Sequence, residues 1–244
     1  NRAAVYRATD RMLDRSVAIK VLKDGQPREA FMGDVRQAIV TSEEPNFINV
    51  YDVASEEQRA FCVMQHIEGR TLQAAIRAQG AGRLSVRSQR RIFVRLATAI
   101  ARAHALGVTY GNLKPSNIIL DRHDEPFVLP VGRQRDAQRD ARDVQALLAR
   151  VASAQAQGQP LAERDAEDLA YLVPDHFGDA IEPLDPKKVD QYMLGLLTWE
   201  MATGRRPQAL AQPGRLAELG RAAFTEPGKF TTMGLSRWPG SLGK

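Results

Sequence analysis

The sequence predicts an α+β fold, with a small β-rich part ahead of a larger, mostly helical one. Two stretches, "AAVYRAT" with "SVAIKVLK" and "INVYDVASEEQRAFCVMQHI", alternate apolar and polar residues at the period of two that a half-buried strand requires. After "EGR" at 68–70 the spacing changes to that of amphipathic helices. With 43% hydrophobic residues in 244, the chain has enough apolar side chains for a packed core.

Taken in order, the first two strands form a hairpin around the polar turn "DRMLDR". Residues 27–41 place Phe31, Val35, Ala38 and Ile39 at helical spacing. Residues 48–67 return to two strands around an acidic turn, and their flanks make Cys62 a buried strand thiol. A helix over 88–106 carries Ile92, Phe93, Leu96, Ile100 and His104 on one face and stops at Gly107. "NIIL" and "PFVLP" are short strands around the turn "DRHDE". Residues 133–170 are charged and rich in Ala and Gln, and read either as a charged loop or as a helix with the stripe Val144, Leu147, Leu148 and Val151. "VDQYMLGLLTWEMATG" is a buried helix ended by Gly204, and beyond 205 no long periodic element is visible.

Charge and cysteine usage exclude several functions. The +5 net charge comes from 34 basic and 29 acidic residues spread over the whole chain, which argues against a nucleic-acid surface. No run approaches the roughly 18 apolar residues of a membrane helix, and the start lacks the apolar core of a secretion signal. The single cysteine forms no internal disulfide, in keeping with a reducing, cytoplasmic setting. His66, His123 and His176 are isolated in sequence, and no His/Cys cluster has metal-ligand spacing.

From "VAIK" at 17–20 onward, the order of motifs over roughly residues 1–207 resembles the protein kinase family, specifically bacterial Ser/Thr kinases of the eukaryotic-like type. The resemblance implies a two-lobed kinase-like fold: an N-lobe over 1–66 with its glycine-rich loop mostly missing, and a C-lobe over 67–207. That C-lobe includes a long activation-segment equivalent over 133–172, whose helix at Val144 to Val151, on the helical reading, docks across the cleft where a substrate would lie, and an atypical or truncated end leaves a tail over 208–244. It makes Lys20 the lysine that holds nucleotide phosphates, with Asp34 as its acidic partner by the pattern "FMGDVRQ" or Val35 at that position by an ungapped count back from Pro45, and Ala3 at the last glycine position of the loop. Val5, Ala18 and Ile119 match the apolar sandwich around adenine, while Met64, Gln65 and His66 match the gatekeeper and hinge. "LKPSN" keeps the frame of the catalytic loop with Lys114 and Asn117, "AYLVPD" resembles the end of the activation segment, and Asp190 is the anchoring aspartate of the central helix.

Two functional positions depart from the family. Tyr110, Gly111 and Asn112 stand where His-Arg-Asp is expected, and an amide cannot take up a proton near neutral pH. Pro130, Val131 and Gly132 stand where Asp-Phe-Gly is expected, and proline brings neither a side-chain oxygen nor a backbone N–H. On this reading no catalytic residue and no metal site are expected, Asn117 alone being a weak cation ligand. ATP is the ligand the pocket can still take, with little dependence on magnesium.

The expectation is therefore a pseudokinase, not an enzyme, acting in the cytoplasm as a protein-binding or allosteric signalling module. One alternative is an active Ser/Thr kinase or other ATP-dependent phosphotransferase with a rearranged site, drawing on Asp121, Asp124 or an acid of the long segment. A second alternative is an ATP sensor.

Overall fold

A computed structural model describes residues 3–56, 59–78, 84–130, 137–172 and 185–206. Within it the chain divides into two compact units, 1–134 and 135–244.

The first unit opens with a hairpin of β1 (Ala3–Asp10) and β2 (Arg15–Leu22), antiparallel and in register from Ala3 opposite Leu22 to Asp10 opposite Arg15. Asp10 closes the turn: its Oδ1 accepts from the N–H groups of Met12 and Leu13 at 3.1 and 3.2 Å, and its Oδ2 from Arg15 Nε at 3.3 Å. β3 (Val50–Glu56) and β4 (Arg59–Gln65) form the second hairpin, and the sheet order is β1-β2-β4-β3.

Side chains alternate across these strands, so Ala60, Cys62 and Met64 of β4 share a face with Ala18 and Lys20 of β2. Helix α1 (Arg28–Val40) covers that face, packing Phe31 and Val35 against Ala60 and Cys62. Cys62 is the buried strand thiol expected from its flanks. Ile39 departs from expectation: it is 49% exposed, because the stripe that meets the sheet runs Phe31, Val35, Ala38 and turns Ile39 outward.

A second sheet follows, order β5-β6-β7, from β5 (Gly69–Thr71), β6 (Ile118–Asp121) and β7 (Pro126–Val128). Gly69 is fixed by close approach, since a Cβ there would lie 1.9 Å from the Leu120 carbonyl oxygen. The β6–β7 turn is built by Asp121, whose Oδ1 accepts from the N–H groups of His123 and Glu125 at 2.8 Å each.

Two helices complete the unit. Thr71 caps α2 (Leu72–Arg77) by accepting from Ala74 N at 3.1 Å, and Ser85 caps α3 (Val86–Ala105) by accepting from Ser88 N at 3.1 Å. In α3 the core face is Ile92, Leu96, Ala99, Ile100 and Ala103. Phe93 was expected on that face and is instead 37% exposed, and His104 is only half-buried. Both flank a stripe whose centre falls on Leu96 and Ala103.

The second unit contains α4 (Ala137–Ala156), α5 (Glu163–Ala170) and α6 (Pro186–Thr203). Of the 133–170 stretch, residues 137–156 form the helix α4. Its Val144, Leu147 and Val151 pack with Leu169 and Leu172, and Leu148 and Leu161 close the edge of that cluster. Asp185 caps α6 through Lys187 N at 2.9 Å, Pro186 takes the first turn, and Gly204 ends the helix at φ 66°. Asp190 of α6 is fully buried.

Val131, Gly132, Asp175, His176 and the tail 208–244, which figured in the sequence reading, lie outside the described residues. No helix among the described residues is long and apolar enough to cross a membrane.

Candidate functional site

Of the sequence-predicted site residues, Lys20, Tyr110 and Asn117 meet the backbone of residues 129–130 just beyond β7. Lys20, in the middle of β2, sends its amine to the Pro130 carbonyl, Nζ to O 3.2 Å. The amine also stands 5.7 Å from the centre of the Phe31 ring. Burial lowers the Lys20 pKa below the ordinary lysine value, a shift that the neighbouring Cys62 and Asp34 oppose. Asp34 of α1 is thus within electrostatic reach of Lys20, whereas Val35, the other residue that spacing could have put there, is packed in the core at 1% exposure.

Next to this contact, segment 128–130 is held on both sides. Val128 N donates to Asn46 O at 2.8 Å and Ile48 N to Val128 O at 3.1 Å. Leu129 N donates to Asn117 O at 2.9 Å, and its own carbonyl accepts from the Tyr110 hydroxyl at 2.6 Å. Tyr110, in the family's histidine position, is buried. Gly111 has φ 65°, the left-handed region that favours glycine, so an arginine at this position would carry a backbone cost of about 1 to 2 kcal/mol. Asn117 Nδ2 donates to the Asn112 carbonyl at 2.8 Å, which ties the loop to its own end, and Lys114 between them is buried.

The adenine-wall candidates divide. Ala18 and Met64 lie in one buried cluster with Ile48, against which Ile119 also packs. Val5 is 59% exposed on β1. Gln65 pairs with Asn49 through its N–H at 2.8 Å, and its side-chain oxygen accepts from Asn49 N at 3.4 Å, while His66 is half-buried just beyond the strand.

The acids invoked for a rearranged metal site are otherwise engaged. Asp121 serves the β6–β7 turn, and Asp124 accepts from Ser88 Oγ at 3.0 Å and pairs with Arg70 at 3.6 Å. Among the described residues no group of three His, Cys, Asp or Glu side chains is placed to hold a metal ion. Lys20 supplies a cation of the kind that a phosphate group pairs with, Ala18, Met64 and Ile119 belong to one apolar cluster, and Asn112 and Pro130 bring no carboxylate for a magnesium ion.

Sequence reasoning missed two participants. Cys62 lies directly opposite Lys20 in the β2–β4 register, and strand alternation from Met64 would have put it on that face. The Pro130 carbonyl carries no sequence signal, because every residue has one.

The protein kinase domain family model matches residues 1–219. The chain belongs to the protein kinase family. It is 28% identical over 212 residues to the probable serine/threonine-protein kinase pknA2 of Bifidobacterium longum, covering 84% of this chain and 25% of that one. It is 30% identical over 210 residues to the serine/threonine-protein kinase PrkC of Bacillus subtilis, covering 84% and 29%. A third relative, the probable serine/threonine-protein kinase PknB of Bifidobacterium longum, is 27% identical over 219 residues, covering 84% and 29%. The chain thus spans between a quarter and a third of the length of these relatives. The α+β, two-lobed kinase-like architecture read from the motifs is that of this family.

The comparisons correct one expectation. The chain was expected not to be an enzyme, and the relatives matched along most of its length are named serine/threonine-protein kinases. The physical reason is that phosphoryl transfer is mostly positioning and charge neutralisation. A lost base costs about 10² to 10⁴ in rate, a fraction of the 10⁶-fold or greater acceleration typical of enzymes.

Proposed function

We propose that this chain is an ATP-dependent phosphotransferase of the Ser/Thr protein kinase class that works with a rearranged site. The observation that carries the reading is the state of Lys20: a desolvated amine, with Asp34 in electrostatic reach, held by a single backbone carbonyl that an incoming phosphate can replace. In this scheme Lys20 takes the nucleotide phosphates, and Ala18, Met64 and Ile119 hold the purine, with Val5 closing over it. Gln65 and His66 present the hinge edge. Asn112 orients the acceptor hydroxyl through its amide, and the proton leaves to solvent. Asn117 steadies the loop.

The Lys20 charge does part of the work that magnesium does in relatives with the full carboxylate set, so nucleotide binding depends little on magnesium. The proposed division is an N-lobe over 1–66, a C-lobe over 67–207 with its activation-segment equivalent at 133–172, and a separate tail over 208–244. A cytoplasmic setting and a protein substrate or partner in a signalling pathway complete the proposal.

The test is transfer of radiolabelled phosphate from ATP to the chain itself or to a basic protein substrate. Transfer by the wild type that disappears in Lys20→Ala supports the reading; equal background from both proteins rejects it.

A second reading, in which ATP binding also changes affinity for a protein partner, is favoured by the Lys20–Pro130 contact, because a nucleotide must break it to bind. Thermal-shift titration with ATP, with and without magnesium, addresses it: no shift at millimolar ATP rules this reading out.

A further inference from the structure

The loop between α3 and β6 lacks what a hydroxyl acceptor needs and has what an anionic acceptor needs. A hydroxyl must lose its proton as it attacks, and Asn112 cannot take that proton up. Its amide instead offers two N–H donors, where an aspartate would offer only acceptor oxygens. The bond that secures the loop leaves this amide out: Asn117 Nδ2 donates to the main-chain carbonyl of Asn112 at 2.8 Å, and Asn112 is only half-buried.

The charges of the loop and of β7 point the same way. Residues 108–120 and 126–130 contain Lys114 and no Asp or Glu, and Lys20 Nζ meets the end of β7 at the Pro130 carbonyl, 3.2 Å away. Acids close by are already engaged: Asp34 acts on Lys20, Asp121 holds the β6–β7 turn, Asp124 binds Ser88 and Arg70, and Glu125 pairs with Arg95 at 3.0 Å. Carboxylates at 112 and 130 would repel a further carboxylate brought to a γ-phosphate, and neither position carries one. Such an acceptor still meets the charge of the triphosphate, which Lys20 and Lys114 are the cations to offset. That repulsion grows with acceptor charge, so a monoanion suits the site better than a dianionic phosphate.

Resting on the phosphotransferase reading above, we propose a further activity of the same site: transfer of the ATP γ-phosphoryl group to a carboxylate, giving an acyl phosphate, in preference to a hydroxyl. One carboxylate oxygen forms a bond to the γ-phosphorus, the bond from that phosphorus to the β-γ bridging oxygen breaks, and ADP leaves with that electron pair. The Asn112 amide donates to the carboxylate oxygen that does not react. No proton is taken up or released, because a glutamate side chain, with an ordinary pKa of about 4.3, is ionised before it binds. The missing base therefore does not slow this reaction, whereas a hydroxyl acceptor forgoes the roughly 10² to 10⁴ that a base supplies.

The test uses the full chain, ATP and two peptides that differ at one position, glutamate in one and serine in the other. Hydroxylamine is present to convert an acyl phosphate to a stable hydroxamate. Hydroxamate on the glutamate peptide is expected, forming about 10² faster than phosphoserine on its partner. The glutamate rate should stay level between about pH 6 and 8, where the acceptor is already ionised, while the serine rate climbs. Asn112→Asp should reverse the order of the two acceptors, and because their ratio is read within one protein, any loss of folded molecules cancels from it. Phosphoserine without hydroxamate, or a ratio that Asn112→Asp leaves unchanged, overturns the proposal while the phosphotransferase reading stands. Hydroxamate that persists in Lys20→Ala also overturns it, and transfer to neither peptide nor to the chain itself overturns both.

Discussion

Lys20 Nζ donates to the Pro130 carbonyl at 3.2 Å, so the buried amine of β2 is held by the backbone of the residue that stands where the motif order leads one to expect a metal-binding aspartate. The strand lysine and the end of β7 are thereby joined without any carboxylate between them.

The first prediction concerns pH. Burial depresses the Lys20 pKa below 10.5, so between the folded value and 10.5 the unfolded chain binds the extra proton and stability rises with pH. The penalty is fully present below the folded value. Lys20→Met should be more stable than the wild type by about 1 kcal/mol at neutral pH, and that advantage should vanish as pH approaches 10.5. Denaturant titrations at several pH values check it, and a constant difference contradicts the assignment.

Asn112→Asp restores a carboxylate to the base position. If transfer is limited there, the labelled-phosphate rate should rise by about 10². Steady-state assays beside the wild type read this directly, and an unchanged rate shows that another step limits turnover.

Tyr110→Phe removes the hydroxyl that holds the buried end of β7 at 2.6 Å. The Leu129 carbonyl loses its side-chain donor, which should cost about 1 to 3 kcal/mol in unfolding free energy.

Gly69→Ala would place a methyl group 1.9 Å from the Leu120 carbonyl oxygen and 2.8 Å from its carbon, both backbone atoms that cannot swing aside. The β5–β6 pair must shift, with an expected loss of about 3 kcal/mol. A midpoint equal to the wild type in thermal unfolding would refute this.

In the second unit, the buried Tyr171 hydroxyl donates to Glu200 Oε2 at 2.8 Å. Burial, and then the Glu200 charge, push the tyrosine pKa far above 10.0. The folded chain keeps this proton where the unfolded one loses it, so stability falls as pH rises past 10.0. Tyr171→Phe should remove that fall and cost about 1 to 3 kcal/mol at neutral pH by taking one donor from the buried Glu200 carboxylate.

The two hairpins and helices α1, α3 and α6 were legible because period and punctuation agreed: alternation in β2 and β4, the Asp10 turn, the Gly204 stop. Ile39 and Phe93 were misassigned because the edge of an apolar stripe is decided by the partner element, which spacing alone does not locate. The α4 segment could not be settled from its charged, Ala-rich composition, since Leu169 and Leu172, distant in sequence, supply the surface that its stripe covers. At the site, motif order singled out Lys20, Asn112, Asn117 and Pro130, and the structure joins Lys20 to Pro130 and Asn117 to Asn112. These connections were not legible, because the Pro130 and Leu129 carbonyls and the Asn112 carbonyl are main-chain groups that any residue would provide.

Gly111 adopts φ 65° between a buried tyrosine and Asn112. Attempts to convert this loop into the usual His-Arg-Asp triplet by exchanging side chains alone will meet a main chain shaped for a residue without a β-carbon. Re-engineering here has to begin with the path of the peptide between α3 and β6, and only then with the chemistry hung on it.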